Sequence, residues 1–391
     1  MDTSASADDL ARNANLVACQ LSILTALGAG PVVDLRARIS KVATLVYDVN
    51  GEPLFWRSVI ERTPDSYVDI AAHPALGSPL VAVSHGLAWT PDAFVEQARR
   101  ALPKRAAASA DEVRFVAYSF PKVAVQFLKD GAEVAMVELF TWSLVPERYD
   151  RAKDEPPGNF ERWSYLDEQP ASRRRANLRR YAERVEGLTE IAGRLEIRDR
   201  RFVDIDATSL FDWLRPRTDS RELHYSGRAG DHSTCYELRG QETNVWCVAA
   251  SVQMVLDFYR YDYDQTRVAS QLGLGTKANP SGLPYTRDGD TATALHVMSN
   301  NSLTTVMNTS PTFAQYRSEI LANRPLVSFV PGHSRSVAGY TRTISPLFPS
   351  LNFNGLLVFD PWPPNAGVIT RWENYDTQTY RRTFTAHVTL V

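Results

Sequence analysis

Cysteine is scarce in this 391-residue chain: only Cys19, Cys235 and Cys247 occur. Three thiols cannot build a disulfide scaffold, since at most one bridge forms and an odd thiol remains. That usage suits a reducing compartment, and equally a secreted enzyme that keeps one thiol free for chemistry. A charge excess is missing too. Lysine and arginine number 43 against 45 acidic residues, which argues against nucleic acid as a partner, because such proteins carry a basic excess or stripe. No run reaches the roughly 18 apolar residues that a membrane span needs. The start, Met1-Asp2-Thr3-Ser4-Ala5, lacks the basic region of a signal peptide. The expectations are a cytoplasmic protein, or a secreted one whose leader has been removed. Internal repeats and low-complexity tracts are lacking as well.

Hydrophobic residues make up 44% of the chain and charged ones 23%, enough apolar material to bury real cores. The length predicts two or three domains. Residues 1–160 read as an α+β N-terminal domain. A helical period runs through Leu10, Leu16, Val17, Leu21 and Leu24, and Asn50-Gly51 turns between two strand-like runs. A helix is predicted over Pro91–Ala101, followed by strands within 113–139, and Pro146–Gly158 reads as a loop. Residues 161–221 form a charged helical connector, dominated by Arg173-Arg174-Arg175 and Arg179-Arg180. It reads either as a solvated helix bridging two domains or as an exposed segment cut during activation. From 222 to 391 helices come first and strands afterwards, again an α+β order.

The chemistry concentrates in this last stretch. Thr243 and Asn244 are good capping residues ahead of an apolar-periodic helix, which puts Cys247 at its first turn. The partial positive charge of a helix N-terminus favours thiolate there. Such a nucleophile needs a base and an oxyanion site. Gln241, six residues upstream, offers an amide N–H that joins the Cys247 backbone N–H. His333, beside a strand in Gly332-His333-Ser334-Arg335-Ser336, is the candidate base. Asp360, where Leu356-Leu357-Val358-Phe359 ends before Pro361, is placed to orient an imidazole. Taken singly, a Cys opening a helix is more often a structural thiol, and an Asp before Pro is a turn residue. The order Gln, Cys, His, Asp in these contexts is what carries the reading. His232, His296 and His387 are the other histidines considered; His296 lies on a predicted helix and His387 in a late strand, and neither of these two precedes a plausible orienting carboxylate.

This segment resembles the papain-like superfamily, where a Gln precedes the nucleophile by six residues and the Cys opens the central helix. Gly339 and Tyr340 stand where that superfamily has Gly and an aromatic after the His. Gly332-His333 and Asp360-Pro361-Trp362 are most similar to bacterial peptidases akin to the bacteriocin-leader-processing group. The resemblance implies a papain-like α+β catalytic domain, hydrolysis of polypeptide substrates through a thioester, and no metal or other cofactor. Two departures stand out. Trp246 precedes the Cys instead of following it, and the strand after His333 is polar at Ser334, Arg335 and Ser336. The run from Asp48 to Ser84 loosely resembles streptopain-type propeptides, which implies an inhibitory N-terminal domain contacting the catalytic domain in cis, and hence a zymogen. A permanent targeting or binding domain is the competing expectation.

Trp246 or Trp362 is a candidate shield for the His333–Asp360 pair, with a plain core aromatic as the other reading. Tyr285, Arg287 and Asp288 are candidate substrate contacts on a loop, where solvated residues are the default. Two functional alternatives stay open: another acyl-transfer enzyme with the same triad (a transglutaminase, amidase or ligase), and a binding protein on a decayed protease scaffold.

Overall fold

The computed structural model describes residues 6–31, 34–63, 65–103, 109–146, 161–224 and 236–389. Cys235, His232, Met1–Ala5 and most of the predicted Pro146–Gly158 loop lie outside the described residues. The chain opens on helix α1 (Ala7–Ala26), where Ser6 accepts from the Asp9 N–H and two acidic residues occupy the first turn. Both features suit a helix N-terminus. Four antiparallel strands follow: β1 (Ile39–Asp48), β2 (Pro53–Ile60), β3 (Ser66–Ala71) and β4 (Leu80–His85). Helix α2 (Pro91–Ala101) begins with proline at its first position, where the missing N–H costs nothing. Strands β5 (Glu112–Ala117), β6 (Val123–Lys129) and β7 (Ala132–Glu138) complete this half, β5 running parallel to β1.

Helix α3 (Ala171–Arg194) is the arginine-rich connector. It bridges the two halves through a buried residue: Arg184 donates to Gly77 O at 3.1 Å, to Asn352 O at 3.0 Å and to Asp376 at 2.6 Å. Helix α4 (Ala207–Trp213) and strand β8 (Arg217–Glu222) lead to the last stretch. It holds α5 (Cys247–Phe258), α6 (Gln265–Gln271), the short pair β9 (Gly275–Thr276) and β10 (Asn279–Pro280), α7 (Asp290–Met298), β11 (Leu303–Asn308) and α8 (Phe313–Leu321). Strands β12 (Leu326–Val330), β13 (His333–Ile344), β14 (Phe353–Asp360), β15 (Val368–Asn374) and β16 (Arg382–Val388) finish the chain. The fold is thus mixed α+β.

One sheet runs through both halves, in the order β11-β16-β12-β13-β14-β15-β4-β3-β2-β1-β5-β6-β7, with β8 taking over from β12 along the far end of β13. The seam is β15 against β4, Thr370 facing Ser84 and Glu373 facing Ala82. Side chains cross the seam as well. Trp372 Nε1 donates to Ala29 O at 2.6 Å, and Asn374 Nδ2 to Leu80 O at 2.8 Å. The largest core joins Val17, Leu21, Trp56 and Val68 of the first half with Tyr340, Leu356 and Trp372 of the second. Among the described residues no helix is long and apolar enough to cross a membrane.

Candidate active site

Cys247 is the first residue of α5, but the cap differs from the sequence expectation. Trp246, not Thr243 or Asn244, occupies the N-cap position, and no side chain there accepts a hydrogen bond. Thr243 instead turns its hydroxyl to the Val245 N–H. The consequence is chemical: among the described residues no N-cap side chain claims the first-turn N–H groups beside the thiol. The helix behind Cys247 is nearly all buried, and Ala249 and Ala250 let the sheet approach it closely.

His333 is set by a two-residue hairpin. β12 and β13 pair Val330 with His333, leaving Pro331-Gly332 as the turn. Gly332 has φ of +71°, a left-handed backbone that suits glycine after proline in a type II turn. Asp360 ends β14, where Phe359 pairs with Ser336 of β13. His333 Nε2 lies 2.7 Å from Asp360 Oδ1, both groups buried, and the same oxygen accepts from the Trp362 N–H at 2.9 Å. Nδ1 has no hydrogen-bond partner among the described residues, and the Cys247 thiol shares one cavity with His333.

The electrostatics favour the charged pair. Burial pushes the Cys247 thiol up, but His333, then the Lys122 charge and the Ser334 N–H, pull it down further. Burial pulls the His333 imidazole down, and the charge and hydrogen bond of Asp360, then Cys247, push it above its ordinary value. A thiol that loses its proton more easily beside an imidazole that holds one more tightly is the setting of a thiolate–imidazolium pair.

Gln241 is fully buried and is not on the wall of that cavity. Its backbone is tied to the loop after Asp360, through N–H to Pro361 O at 2.9 Å and through its carbonyl to the Asn365 N–H at 2.8 Å. Its side-chain Nε2 donates to Thr243 O at 2.6 Å, which occupies one amide hydrogen and leaves the other. Tyr285 and Asp288 line the cavity. Arg287 does not: its guanidinium is engaged by Asp290 and by Leu272 O. His296 Nδ1 is engaged with Leu303 O, and His387 sits by Glu319. Trp246 is a core aromatic donating to Leu274 O, whereas Trp362 packs beside Asp360 in a separate cluster.

The sequence reading missed what the first half contributes. Lys122, just before β6 proper, lines the cavity with Cys247 and His333, its ammonium 4.6 Å from the Trp362 ring centroid. Trp163 lies edge-on to Tyr285 at 5.6 Å and covers Gly332 so closely that a Cβ there would meet its ring at 2.5 Å. Asp48 anchors that segment by accepting from Ser164 Oγ and from the Tyr165 and Leu166 N–H groups. No local pattern marks a lone lysine or tryptophan as part of a distant site.

Comparison with protein families gives one finding for this geometry. A family model described as "Peptidase_C39 like family" matches residues 235–387. The match supports a papain-like cysteine peptidase-type domain over those residues. Neither the search of curated proteins nor that of solved structures gave a match.

Proposed function

We propose that the chain is a cysteine peptidase acting through Cys247, His333 and Asp360. The observation that carries this reading is the buried 2.7 Å contact of His333 Nε2 with Asp360, which leaves Nδ1 free in the cavity that His333 shares with Cys247. The Cys247 thiolate attacks the scissile carbonyl and forms the Cys–acyl bond. His333 gives its proton to the leaving amine, then takes one from the water that hydrolyses the thioester. Asp360 holds the imidazole tautomer and stabilises its charged form. The Cys247 backbone N–H and the remaining amide hydrogen of Gln241 serve the oxyanion. The likeness to leader-processing peptidases, carried by Gly332-His333 and Asp360-Pro361-Trp362, belongs to this proposal as well.

For residues 1–221, the contacts support a retained part of the enzyme better than a removed propeptide. The shared sheet, the common core and Arg184 tie the halves together. The test is digestion of unfolded casein under reducing conditions by the full chain and by Cys247→Ala. Cleavage only with Cys247 present is the expected result; equal outcomes for the two proteins overturn the reading.

A further inference from the structure

Lys122 is 7% exposed, and its ammonium has neither ion pair nor hydrogen bond among the described residues; its one close partner is the face of Trp362. An ammonium withdrawn from water without an anion is unfavourable. Desolvation indeed lowers its proton affinity, opposed by the charges of Cys247, Glu138 and Asp360. None of the three forms an ion pair with it among the described residues. Asp360 holds His333; Glu138 takes its three donors on Oε2 alone, the N–H groups of Phe140 and Thr141 and the Thr141 hydroxyl, while its Oε1 is buried with no hydrogen-bond partner among the described residues. The Cys247 thiolate is the third, and it ceases to be an anion once it is acylated. The rest of the cavity wall offers little to replace it. Val245, Val248, Leu283 and Phe329 are apolar, and Asp288 is paired with Arg382 at 3.1 Å. Lys122 is the only lysine or arginine among the described residues on this wall, and no carboxylate of the described residues forms an ion pair with it.

We infer that Lys122 forms a carboxylate-recognising subsite beside Cys247, so that the enzyme favours peptides carrying a carboxylate next to the scissile bond. The substrate class rests on the peptidase reading; the subsite itself does not. A single ammonium over an aromatic face in a narrow, mostly apolar cavity suits a monoanion of carboxylate size. The carboxylate has two sources, the C-terminus of the substrate or an acidic side chain.

The test on the full chain is the rate of Cys247 alkylation by iodoacetate and by iodoacetamide, read by peptide mass, in wild type, Lys122→Met and Lys122→Arg. The ratio of the two rates cancels the thiolate fraction and reports the charge facing the reagent. The ratio is expected to fall about tenfold in Lys122→Met, as loss of one nearby charge in a water-poor site implies, and to stay near wild type in Lys122→Arg. An unchanged ratio in Lys122→Met, an equal fall in Lys122→Arg, or a Cys247 that neither reagent reaches overturns the subsite. A shifted ratio without any casein cleavage keeps the subsite and sinks the peptidase reading, so the two failures are distinguishable. Peptide pairs then identify the source. One pair ends in carboxylate or amide, and the other has Asp or Asn after the scissile bond. The pair whose discrimination is lost in Lys122→Met marks the source, and no discrimination by wild type in either pair overturns the substrate class.

Discussion

Arg335 on β13 and Glu373 on β15 form a fully buried ion pair that reaches across β14, with Arg335 Nη2 2.9 Å from Glu373 Oε1 and a second contact beside it. Tyr380 adds its hydroxyl to Glu373 at 2.6 Å, and Phe120 of the first half covers the guanidinium at 4.7 Å. This pair accounts for Arg335 in the polar run after His333, whereas Ser334 Oγ is buried without a hydrogen-bond partner among the described residues. Arg335 is held by Glu373, Ser336 meets the Tyr236 hydroxyl, and the strand is buried throughout the run.

Breaking that pair from one side leaves a buried charge alone. Arg335→Met or Glu373→Gln is expected to destabilise the protein by about 3–5 kcal/mol, and replacing both residues by well-packed apolar ones to recover most of the loss. Denaturant unfolding of the single and double variants checks this. Equal losses for single and double variants would show that the residues do not act as a pair.

The His333–Asp360 contact fixes a pH dependence. Cys247 titrates below its ordinary value and His333 above its own, so kcat/KM should be bell-shaped, with a plateau between the two. Asp360→Asn keeps an acceptor for Nε2 and removes the charge, so the alkaline limb should move to lower pH. His333→Ala should cost about 10²–10⁴ in kcat, the usual worth of a general acid–base group. An alkaline limb unmoved in Asp360→Asn would deny Asp360 its orienting role.

Asp257, near the end of α5, is buried, and burial pushes its pKa up to about 7 against the opposing charge of Arg239 at 3.2 Å. Its folded-state value thus lies above the unfolded one, so the fold binds the proton more tightly. Stability from this group is greatest below the unfolded value and falls as pH rises, until the folded group has ionised above about 7. Asp257→Asn should therefore raise Tm at slightly alkaline pH, and the two proteins should converge in acid. A constant difference across that range would mean that the carboxylate acts through something other than its ionisation.

A fragment covering 222–391 should fail to fold cooperatively. Without the first half, β15 shows an unpaired edge, and Trp372 and Asn374 lose the acceptors Ala29 O and Leu80 O. Unpaired edges and stranded buried donors both penalise the folded state. Solubility and thermal melting of the fragment beside the full chain decide the matter. A well-folded fragment with higher activity would restore the removable-propeptide reading.

Much of the local structure was legible because each piece is written in neighbouring residues. Asn50-Gly51 announces the β1–β2 hairpin, the predicted Pro91–Ala101 helix is found with those bounds, and apolar runs locate β12, β14 and β15. Cys247 at a helix start, His333 after a Pro-Gly turn and Asp360 at a strand end are readable for the same reason. What stayed hidden depends on partners far along the chain. β8, reading Arg-Thr-Asp-Ser-Arg-Glu, has no apolar signature and exists because β13 is long enough to pair with it. The polar Arg335 in a strand stood out as a departure because its partner Glu373 lies 38 positions away. Lys122 became part of the cavity only through the way β6 and its neighbours sit against the loop of Trp362.

The β4–β15 seam also sets an order of events during synthesis. β4 leaves the ribosome well before its partner β15, so the first seven strands wait with that edge unpaired while the residues between are made. Non-local pairings of this kind slow folding and lengthen exposure to intermolecular strand pairing. The nascent chain is thus most vulnerable to aggregation just before the residues that complete the sheet emerge, and holding that edge is the task a chaperone would have to perform.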